Sequence, residues 1–309
     1  MLNAKMIRSK FTVTFKNCKI VTQTFLINSM STDSSQPSFE EIRKYLWGFG
    51  KGNVNLSKNE DTGIATLVLN NPEKRNAISG QMMVHLRDCI EELEKWKSGK
   101  AVILQGHNNI FCSGADLDFV RAAGTKQGAS YMSTWMQDTL NRLQRLPLIS
   151  VSLLEGFAIG GGAEVAVSCD YIVVANNAKF GFVHAKMGLV PVWGGTTRLV
   201  NKIGQRKALD MLLTSKVFRA VDCLNIGLAD AMVPTAESFV KTMEWLSPRI
   251  QHHYTIVRAN KTSVINTALN SYQDSLAKEK TMLVPFWGGQ LNIEALNKKI
   301  KHEPSQNGD

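Results

Sequence analysis

Residues 155–170 read EGFAIGGGAEVAVSCD, an apolar run that turns through three consecutive glycines into a predicted helix containing Glu164. Residues 111–117, FCSGADL, follow another apolar run and also lead into a predicted helix. Such a turn exposes unpaired backbone N–H groups at the positive end of the helix dipole. Either segment alone is explained by tight turns and close packing, which glycine permits. The pair, with Glu164 three residues after the middle glycine, predicts two N–H donors facing one developing oxyanion.

Outward from these segments, strand and helix patterns alternate along the chain. The runs GIATLVLNNP, KAVILQG, LISVSLL and YIVVA predict strands, and VNLSK pairs with the first of them as a hairpin. Helices are predicted at 79–96 and from a loop ending at Asp116 to a point near Arg145. This alternation predicts a layered α/β fold.

The carboxy-terminal part has a different pattern. After about Ser238 the chain is predicted to be helical to its end, with caps or breaks near Pro248, Asn270 and Gly288. We therefore predict three regions. Residues 1–45 form a disordered segment or weak leader with a linker, residues 46–238 form the α/β core with the active site, and residues 239–309 form a helical region.

The composition excludes several classes of protein. Of the 309 residues, 44% are hydrophobic and 20% charged, as in globular rather than disordered chains. The longest uncharged apolar stretch, near 146–154, is far short of the roughly 20 residues that a membrane helix needs. Five widely spaced cysteines without a C-x-x-C pair indicate reduced thiols in an intracellular protein, not a disulfide framework or zinc site.

The formal net charge of +10 suggests an anionic partner, but part of it is local. Residues 1–37 contain five lysines and arginines against one acidic residue, Asp33. This segment is compatible with a weak mitochondrial leader or with a disordered extension, because arginine is scarce and Phe11, Val13 and Phe15 alternate as in a strand.

Common catalytic motifs are missing from the sequence. It contains no G-x-S-x-G, no G-x-x-x-x-G-K-[ST] and no H-E-x-x-H. A dinucleotide fingerprint fails at Val165, which stands where the third glycine belongs. A hydrolase triad, a phosphate-loop ATPase, a dinucleotide oxidoreductase and a zinc enzyme are all disfavoured, and no metal is predicted.

Four segments together resemble the enoyl-CoA hydratase/isomerase (crotonase) family over about residues 54–300. They are NNPEKRNAIS at 70–79, FCSGADL, EGFAIGGGAE…SCD, and FGFVHAKMGLVPVWGGTTRL at 180–199, in family order and spacing. The resemblance implies a crotonase-like spiral of strand–strand–helix turns and a carboxy-terminal helical oligomerisation region that builds homotrimers or dimers of trimers. It also implies acyl-CoA thioester substrates, with coenzyme A as part of the substrate and no separate cofactor.

The same resemblance implies roles for individual residues. The thioester oxygen would lie between the N–H groups of Ala115 and Gly161, and the catalytic set would be completed by Glu164 and His184. The candidate substrate-binding residues are Lys74, Arg75, Asn76 and Ala77, in the segment that approaches the nucleotide, Phe182 and Trp193 at the acyl pocket, and Gly114, Asp116 and Gly160. For Asp116 we prefer the interpretation that it caps the following helix. Phe182 and Trp193 are equally compatible with a role in the core. Cys112 is predicted to be a small packed side chain rather than a nucleophile.

One departure from the hydratase pattern is informative. Hydratases of the family use two glutamates on one water, and His184 stands where the second is expected. A malonyl-type thioester brings its own carboxylate, and a second glutamate 4 Å away would repel it by about 4 kcal/mol at an effective dielectric near ~20. A histidine removes this repulsion and, when protonated, attracts the carboxylate or supplies a proton.

These arguments predict a decarboxylase, a carbon–carbon lyase acting on malonyl-type acyl-CoA thioesters through an oxyanion-stabilised enolate. The resemblance further implies ethylmalonyl-CoA and methylmalonyl-CoA as substrates and a role in the clearance of aberrant metabolites. One alternative is a hydratase or isomerase that uses Glu164 alone, with His184 only packing. The other is a non-catalytic crotonase-fold RNA-binding protein, although no basic stripe interleaved with aromatics is evident and no nucleic-acid partner is expected. We expect the cytosol, or the mitochondrion if residues 1–30 act as a leader.

Overall fold

A computed structural model describes residues 37–298 of the chain, and residues 38–298 lie in one compact unit. The predicted leader therefore lies outside the described residues, apart from its last part. The strands are β1 (Asn53–Asn59), β2 (Ile64–Asn70), β3 (Ala101–Gly106), β4 (Ile149–Leu154), β5 (Phe157–Ile159), β6 (Tyr171–Ala175), β7 (Lys179–Gly181), β8 (Phe218–Arg219) and β9 (Ala231–Val233). The helices are α1 (Phe39–Trp47), α2 (Gly80–Lys95), α3 (Leu117–Ala122), α4 (Lys126–Arg145), α5 (Gly161–Ala166), α6 (Gly195–Ile203), α7 (Gln205–Thr214), α8 (Ala220–Asn225), α9 (Ser238–Ile250), α10 (Tyr254–Leu269), α11 (Tyr272–Leu283) and α12 (Gln290–Asn297).

The described strands form two sheets. The larger has the order β1-β2-β3-β4-β6-β9, with the β1–β2 hairpin antiparallel and every other pair parallel. The smaller has the order β5-β7-β8. β3 is largely apolar, and both β3 and β4 are almost entirely buried, as expected for parallel strands covered on both faces.

The segment after β3 lies alongside β5, and this pairing brings the two glycine turns together. Cys112 N–H donates to the Phe157 carbonyl at 2.7 Å, and Ile159 N–H donates to the Cys112 carbonyl at 3.0 Å. A Cβ on Gly162, at the start of α5, would lie 2.4 Å from the Cys112 carbonyl oxygen. Only glycine allows α5 to begin this close to the neighbouring backbone.

The predicted boundary between the leader and the core, at residues 45 and 46, is wrong because it falls inside α1. This helix buries Ile42 and Leu46 completely in the main core. It begins at a capping box, in which Ser38 Oγ accepts from Glu41 N–H and the Glu41 carboxylate accepts from Ser38 N–H. The polar, serine-rich composition before Ser38 hid this start signal.

One further helix prediction needs correction. The single helix expected between Asp116 and Arg145 is divided into α3 and α4 by a turn at Gly124, and Thr125 caps the second helix. The break expected near Pro248 is present, since α9 ends at Ile250, two residues past the proline. The helical pattern of residues 239–298 is otherwise as predicted, and α9 buries Leu246 and Ile250 in a second core cluster with β4, β6 and β9.

None of the helices within residues 37–298 combines the length and the apolar character needed to cross a membrane.

Candidate active site

The backbone N–H groups of Ala115 and Gly161 lie at two adjacent turns. The Ile78 N–H donates to the Gly114 carbonyl at 2.8 Å and the Asp116 N–H donates to the Ile78 carbonyl at 2.9 Å. In this parallel bridge the Ala115 N–H points to the opposite side. Within residues 37–298, neither it nor the Gly161 N–H donates a hydrogen bond.

The closeness of the two turns follows from their glycines. Gly114 has φ +111° and Gly160 has φ +57°, both in the left-handed region that favours glycine. A Cβ on Gly114 would lie 3.6 Å from the Gly161 nitrogen, so the two turns are in contact. Two unpaired N–H groups at touching turns are what an oxyanion site requires.

Glu164 lies on α5, one turn after Gly160, and is 1% exposed. Its Oε2 accepts hydrogen bonds from the N–H groups of Trp193 (2.8 Å) and Gly195 (2.9 Å). Its Oε1 accepts from the Val192 N–H at 3.3 Å and lies 3.1 Å from His184 Nε2. Four donors occupy the lone-pair directions of the carboxylate, so the structure leaves no acceptor position for a water.

His184 begins a short 3-10 turn, His184–Met187, after β7. Since Glu164 Oε1 is an acceptor, Nε2 carries the hydrogen of this contact. Nδ1 is buried and has no hydrogen-bond partner among the described residues. A buried ring nitrogen without a partner is costly unless a ligand satisfies it.

The acyl-pocket candidates Phe182 and Trp193 are both buried and touch the catalytic set. The Phe182 ring lies 5.7 Å from the His184 ring, measured between centroids. A Cβ on Gly161 would lie 2.5 Å from Trp193 Cζ3, so the indole packs directly against the second oxyanion donor. The structure therefore brings both aromatic residues to the predicted site.

In segment 74–77, which is predicted to approach the nucleotide of coenzyme A, some residues are buried and others are exposed. Asn76 is completely buried, where its side chain accepts from Asn71 N–H and donates to two backbone carbonyls, so it holds the loop rather than contacting a ligand. Ala77 is also buried. Arg75 is exposed, with φ +53°, and lines a cavity of about 320 Å³ together with Ser113, Phe157, Ile159 and Val217.

The ammonium group of Lys74 is paired with two carboxylates. Its Nζ lies 2.8 Å from Asp116 Oδ2 and 2.8 Å from Asp118 Oδ2. Hydrogen bonding to Asp116, and then to Asp118, raises the pKa of Lys74. Asp116 also accepts from the Asp118 N–H at 2.9 Å, which confirms the prediction that it caps α3. With its charge compensated, Lys74 is a weaker candidate for a phosphate than Arg75.

Cys112 is fully buried beside the first donor turn, and burial raises the pKa of its thiol to about 12. The prediction of a packed side chain rather than a nucleophile is therefore confirmed. Within residues 37–298, no three His, Cys, Asp or Glu side chains are arranged to hold a metal ion.

Two functional features of the site escaped the sequence analysis. The first is Gly195, whose N–H binds Glu164 and whose Cβ would lie 2.5 Å from Glu164 Cγ and 2.8 Å from Phe182 Cε1. The second is Arg198, whose guanidinium binds the Trp193 carbonyl behind Glu164. The paired glycines in VWGGTTRL were the available signal.

The fold and the site define a member of the enoyl-CoA hydratase/isomerase family. The sequence pattern of this family matches residues 59–290, and the chain belongs to the family. Solved structures agree. The enoyl-CoA hydratase of Bacillus anthracis superposes with a TM-score of 0.75 at 24% identity, covering 83% of this chain and all of that one, which confirms the predicted crotonase-like α/β fold.

Within this family the chain is similar to proteins named ethylmalonyl-CoA decarboxylase. The human protein is 42% identical over 265 residues, which are 85% of this chain and 86% of that one. The Xenopus laevis protein is 41% identical over 278 residues, covering 89% and 93%. The names of these relatives agree with the sequence-based prediction of a decarboxylase of malonyl-type thioesters.

Proposed function

We propose that this protein decarboxylates malonyl-type acyl-CoA thioesters, converting ethylmalonyl-CoA to butyryl-CoA and also accepting methylmalonyl-CoA. The observation that carries the proposal is the Glu164–His184 pair, in which an imidazole stands where the resemblance places a second glutamate. Similarity to ethylmalonyl-CoA decarboxylases over 85% of the chain supports the same substrate class.

The reaction needs an electron sink, a group that accepts the electron pair of the broken bond. Cleavage of the bond between C2 and the carboxylate releases carbon dioxide and leaves the electron pair on the thioester as an enolate. The unpaired N–H groups of Ala115 and Gly161 are suited to hold the enolate oxygen. This step uses no cofactor, and we propose that none is required.

His184 is the better candidate for the proton donor. Glu164 accepts four hydrogen bonds, so it holds the imidazole rather than carrying a proton itself. In the imidazolium, Nδ1–H is free to bind the substrate carboxylate and then to protonate C2 after carbon dioxide leaves. The product is the saturated acyl-CoA, and the ring regains its proton from solvent.

The hydratase alternative receives less support from the same geometry. Hydration requires a carboxylate lone pair to activate water, and the lone-pair directions of Glu164 are filled. The RNA-binding alternative gives no reason for two unpaired N–H donors beside a buried glutamate–histidine pair.

A three-substrate comparison tests the proposal. The purified protein is incubated separately with ethylmalonyl-CoA, methylmalonyl-CoA and crotonyl-CoA, and the products are identified by mass. We expect butyryl-CoA and carbon dioxide from the first, decarboxylation of the second, and no hydration of the third. Hydrated crotonyl-CoA without decarboxylation would establish the hydratase alternative, and RNA affinity without any turnover would favour the binder.

We further propose that the protein assembles as a homotrimer or a dimer of trimers. Support comes from apolar side chains in the carboxy-terminal helical region, where Val264, Tyr272, Val284 and Trp287 are 70–78% exposed. Sedimentation measurements test the assembly, and a monomer at micromolar concentration would contradict it.

For the compartment we propose the cytosol. The support is the poor amphipathic-helix pattern of the first 37 residues. Import into isolated mitochondria with cleavage near residues 25–35 would contradict this proposal.

A further inference from the structure

Arg198, on α6, holds a buried guanidinium that contacts only neutral groups. The residue is 5% exposed. Its Nη1 donates to the Trp193 carbonyl at 2.8 Å, its Nε to Gln144 Oε1 at 3.1 Å, and its Nη2 to Asn141 Oδ1 at 2.6 Å. None of the carboxylates in residues 37–298 lies within ion-pair distance of it.

A buried charge without an ion pair costs stability. Burial lowers the pKa of Arg198, and the attraction of Glu164 opposes this effect most strongly. The next contributor is Cys169, whose thiol stays neutral because burial raises its pKa to about 12. Glu164 is therefore the charge with which Arg198 interacts, although the two side chains do not touch.

The contact with Trp193 explains how the two charges are connected. The chain at 192–195 directs three N–H groups, from Val192, Trp193 and Gly195, toward Glu164. Its carbonyls are held on the other side, where Arg198 binds that of Trp193 and Gln137 binds that of Val192 at 2.7 Å. The Val192 carbonyl belongs to the same peptide as the Trp193 N–H, so rotation of that peptide would remove a donor from Glu164. The peptide that Arg198 holds, between Trp193 and Gly194, lies between the two peptides that carry the Trp193 and Gly195 donors, so its rotation would displace both of them.

Gly194 makes the guanidinium contact feasible. It has φ +89°, and a Cβ at this position would lie 2.4 Å from Arg198 Nη1. The guanidinium thus lies directly over the glycine, and the fork of Arg198 joins the 193–195 turn to Asn141 and Gln144 on α4.

We propose that Arg198 is a positioning residue that fixes the amide donors of Glu164 and, by its charge, favours the carboxylate that orients His184. This inference rests on the proposed function, because it assigns the Glu164–His184 pair to proton delivery. Trp193 extends the effect, since its indole packs against the Gly161 turn.

Two substitutions of Arg198 distinguish the effect of its hydrogen bonds from the effect of its charge. Arg198→Met removes both the fork and the charge, whereas Arg198→Lys keeps the charge but cannot bind the three acceptors together. Arg206→Met, at an exposed position on α7, is the matched control for loss of a positive charge. All three are compared with the full-length parent in ethylmalonyl-CoA turnover, in its pH profile, and in amide hydrogen exchange.

For Arg198→Met we expect kcat to fall by about 10- to 100-fold, the effect of losing a hydrogen bond to a charged group. The acidic limb of the kcat profile should move to higher pH, because Glu164 loses a favourable charge and ionises less readily. The titrating group facing Glu164 is His184, and α4 presents the uncharged Asn141 and Gln144 to Arg198. If Arg198 had only a structural role, its loss would lower kcat at every pH and leave the acidic limb of the profile in place.

Amide exchange gives a readout that does not depend on turnover. Exchange of the Trp193 and Gly195 amides should accelerate in Arg198→Met, while helices α4 and α6 keep the protection of the parent. Arg198→Lys should show intermediate exchange, a smaller loss of kcat and an unmoved acidic limb, and Arg206→Met should match the parent.

The outcomes are distinguishable. An unmoved limb and unchanged exchange at Trp193 and Gly195 in Arg198→Met overturn the inference. If that variant does not fold, Arg198→Lys decides, since parent-like kcat and exchange would then overturn it. A parent that does not decarboxylate ethylmalonyl-CoA refutes the proposed function, and the exchange measurements still decide the role of Arg198.

Discussion

Replacing His184 by glutamate tests the central step of the mechanism. The substitution removes the buried Nδ1 that we assign to the substrate carboxylate and places a second carboxylate beside Glu164, whose Oε1 is 3.1 Å from His184 Nε2. It also restores the two-glutamate pattern that the resemblance associates with hydration. One change therefore acts in opposite directions on two reactions.

The expected magnitude follows from Coulomb's law. For two carboxylates about 4 Å apart, one at position 184 and one on the substrate, the repulsion at an effective dielectric of ~20 is about 4 kcal/mol, or about 10³ in rate. Protonation of one carboxylate relieves part of this repulsion, so we expect decarboxylation to fall by about 10²- to 10³-fold. Butyryl-CoA has no free carboxylate, so its binding should change much less.

Steady-state decarboxylation of ethylmalonyl-CoA, hydration of crotonyl-CoA and inhibition by butyryl-CoA are measured on the same preparations. His252→Glu makes the same change of charge at an exposed position and should behave as the parent. Glu164→Gln should also be harmful without creating hydration. Decarboxylation by His184→Glu at the parent rate, in a folded protein, would mean that His184 only packs.

Three substitutions and one chelation experiment test separate parts of the site. Arg75→Met should raise KM for the acyl-CoA about tenfold with kcat unchanged, as expected for loss of an exposed phosphate contact. Lys74→Met should lower the thermal midpoint of unfolding and raise KM less than Arg75→Met does, because Lys74 is paired with Asp116. A larger rise in KM for Lys74→Met than for Arg75→Met would contradict our assignment. Gly195→Ala should reduce kcat by about 10²-fold or more, because its Cβ would lie 2.6 Å from Glu164 Oε2, and parent-like turnover would show that the carboxylate can shift without loss. Exhaustive chelation should leave turnover unchanged, and activity lost on chelation and restored by a divalent ion would refute the cofactor-free mechanism.

The regular elements with strong patterns were predictable from the sequence. The helix expected at 79–96 is α2, Gly80–Lys95, and the run YIVVA is β6, Tyr171–Ala175. Both have clear boundary signals, since Ser79 caps α2 with its side chain and β6 is a short apolar run. The start of α1 was missed because its capping box follows a serine-rich stretch that is typical of a linker.

The part of the site that depends on tertiary contacts was less predictable. The two glycine turns and Glu164 are visible as sequence motifs, and the resemblance located His184. The donors that fill the Glu164 carboxylate are backbone N–H groups at 192–195, and no residue type marks a backbone donor. The pairing of Lys74 with Asp116 likewise joins residues 42 positions apart and reverses the expected role of the lysine.

The charge of the Glu164–His184 pair explains why the crotonase scaffold can accept a malonyl-type substrate. With an ionised glutamate and a protonated imidazole the pair is neutral, so the incoming carboxylate meets no net repulsion. Two ionised glutamates at the same positions would present two negative charges, each costing about 4 kcal/mol at 4 Å and a dielectric of ~20. Three backbone N–H groups hold the Glu164 carboxylate against Nε2 of His184, which leaves the unpartnered Nδ1 as the nitrogen that we assign to the substrate carboxylate. In the mechanism that we propose, the exchange of one carboxylate for an imidazole therefore both admits the substrate carboxylate and provides the proton that replaces it.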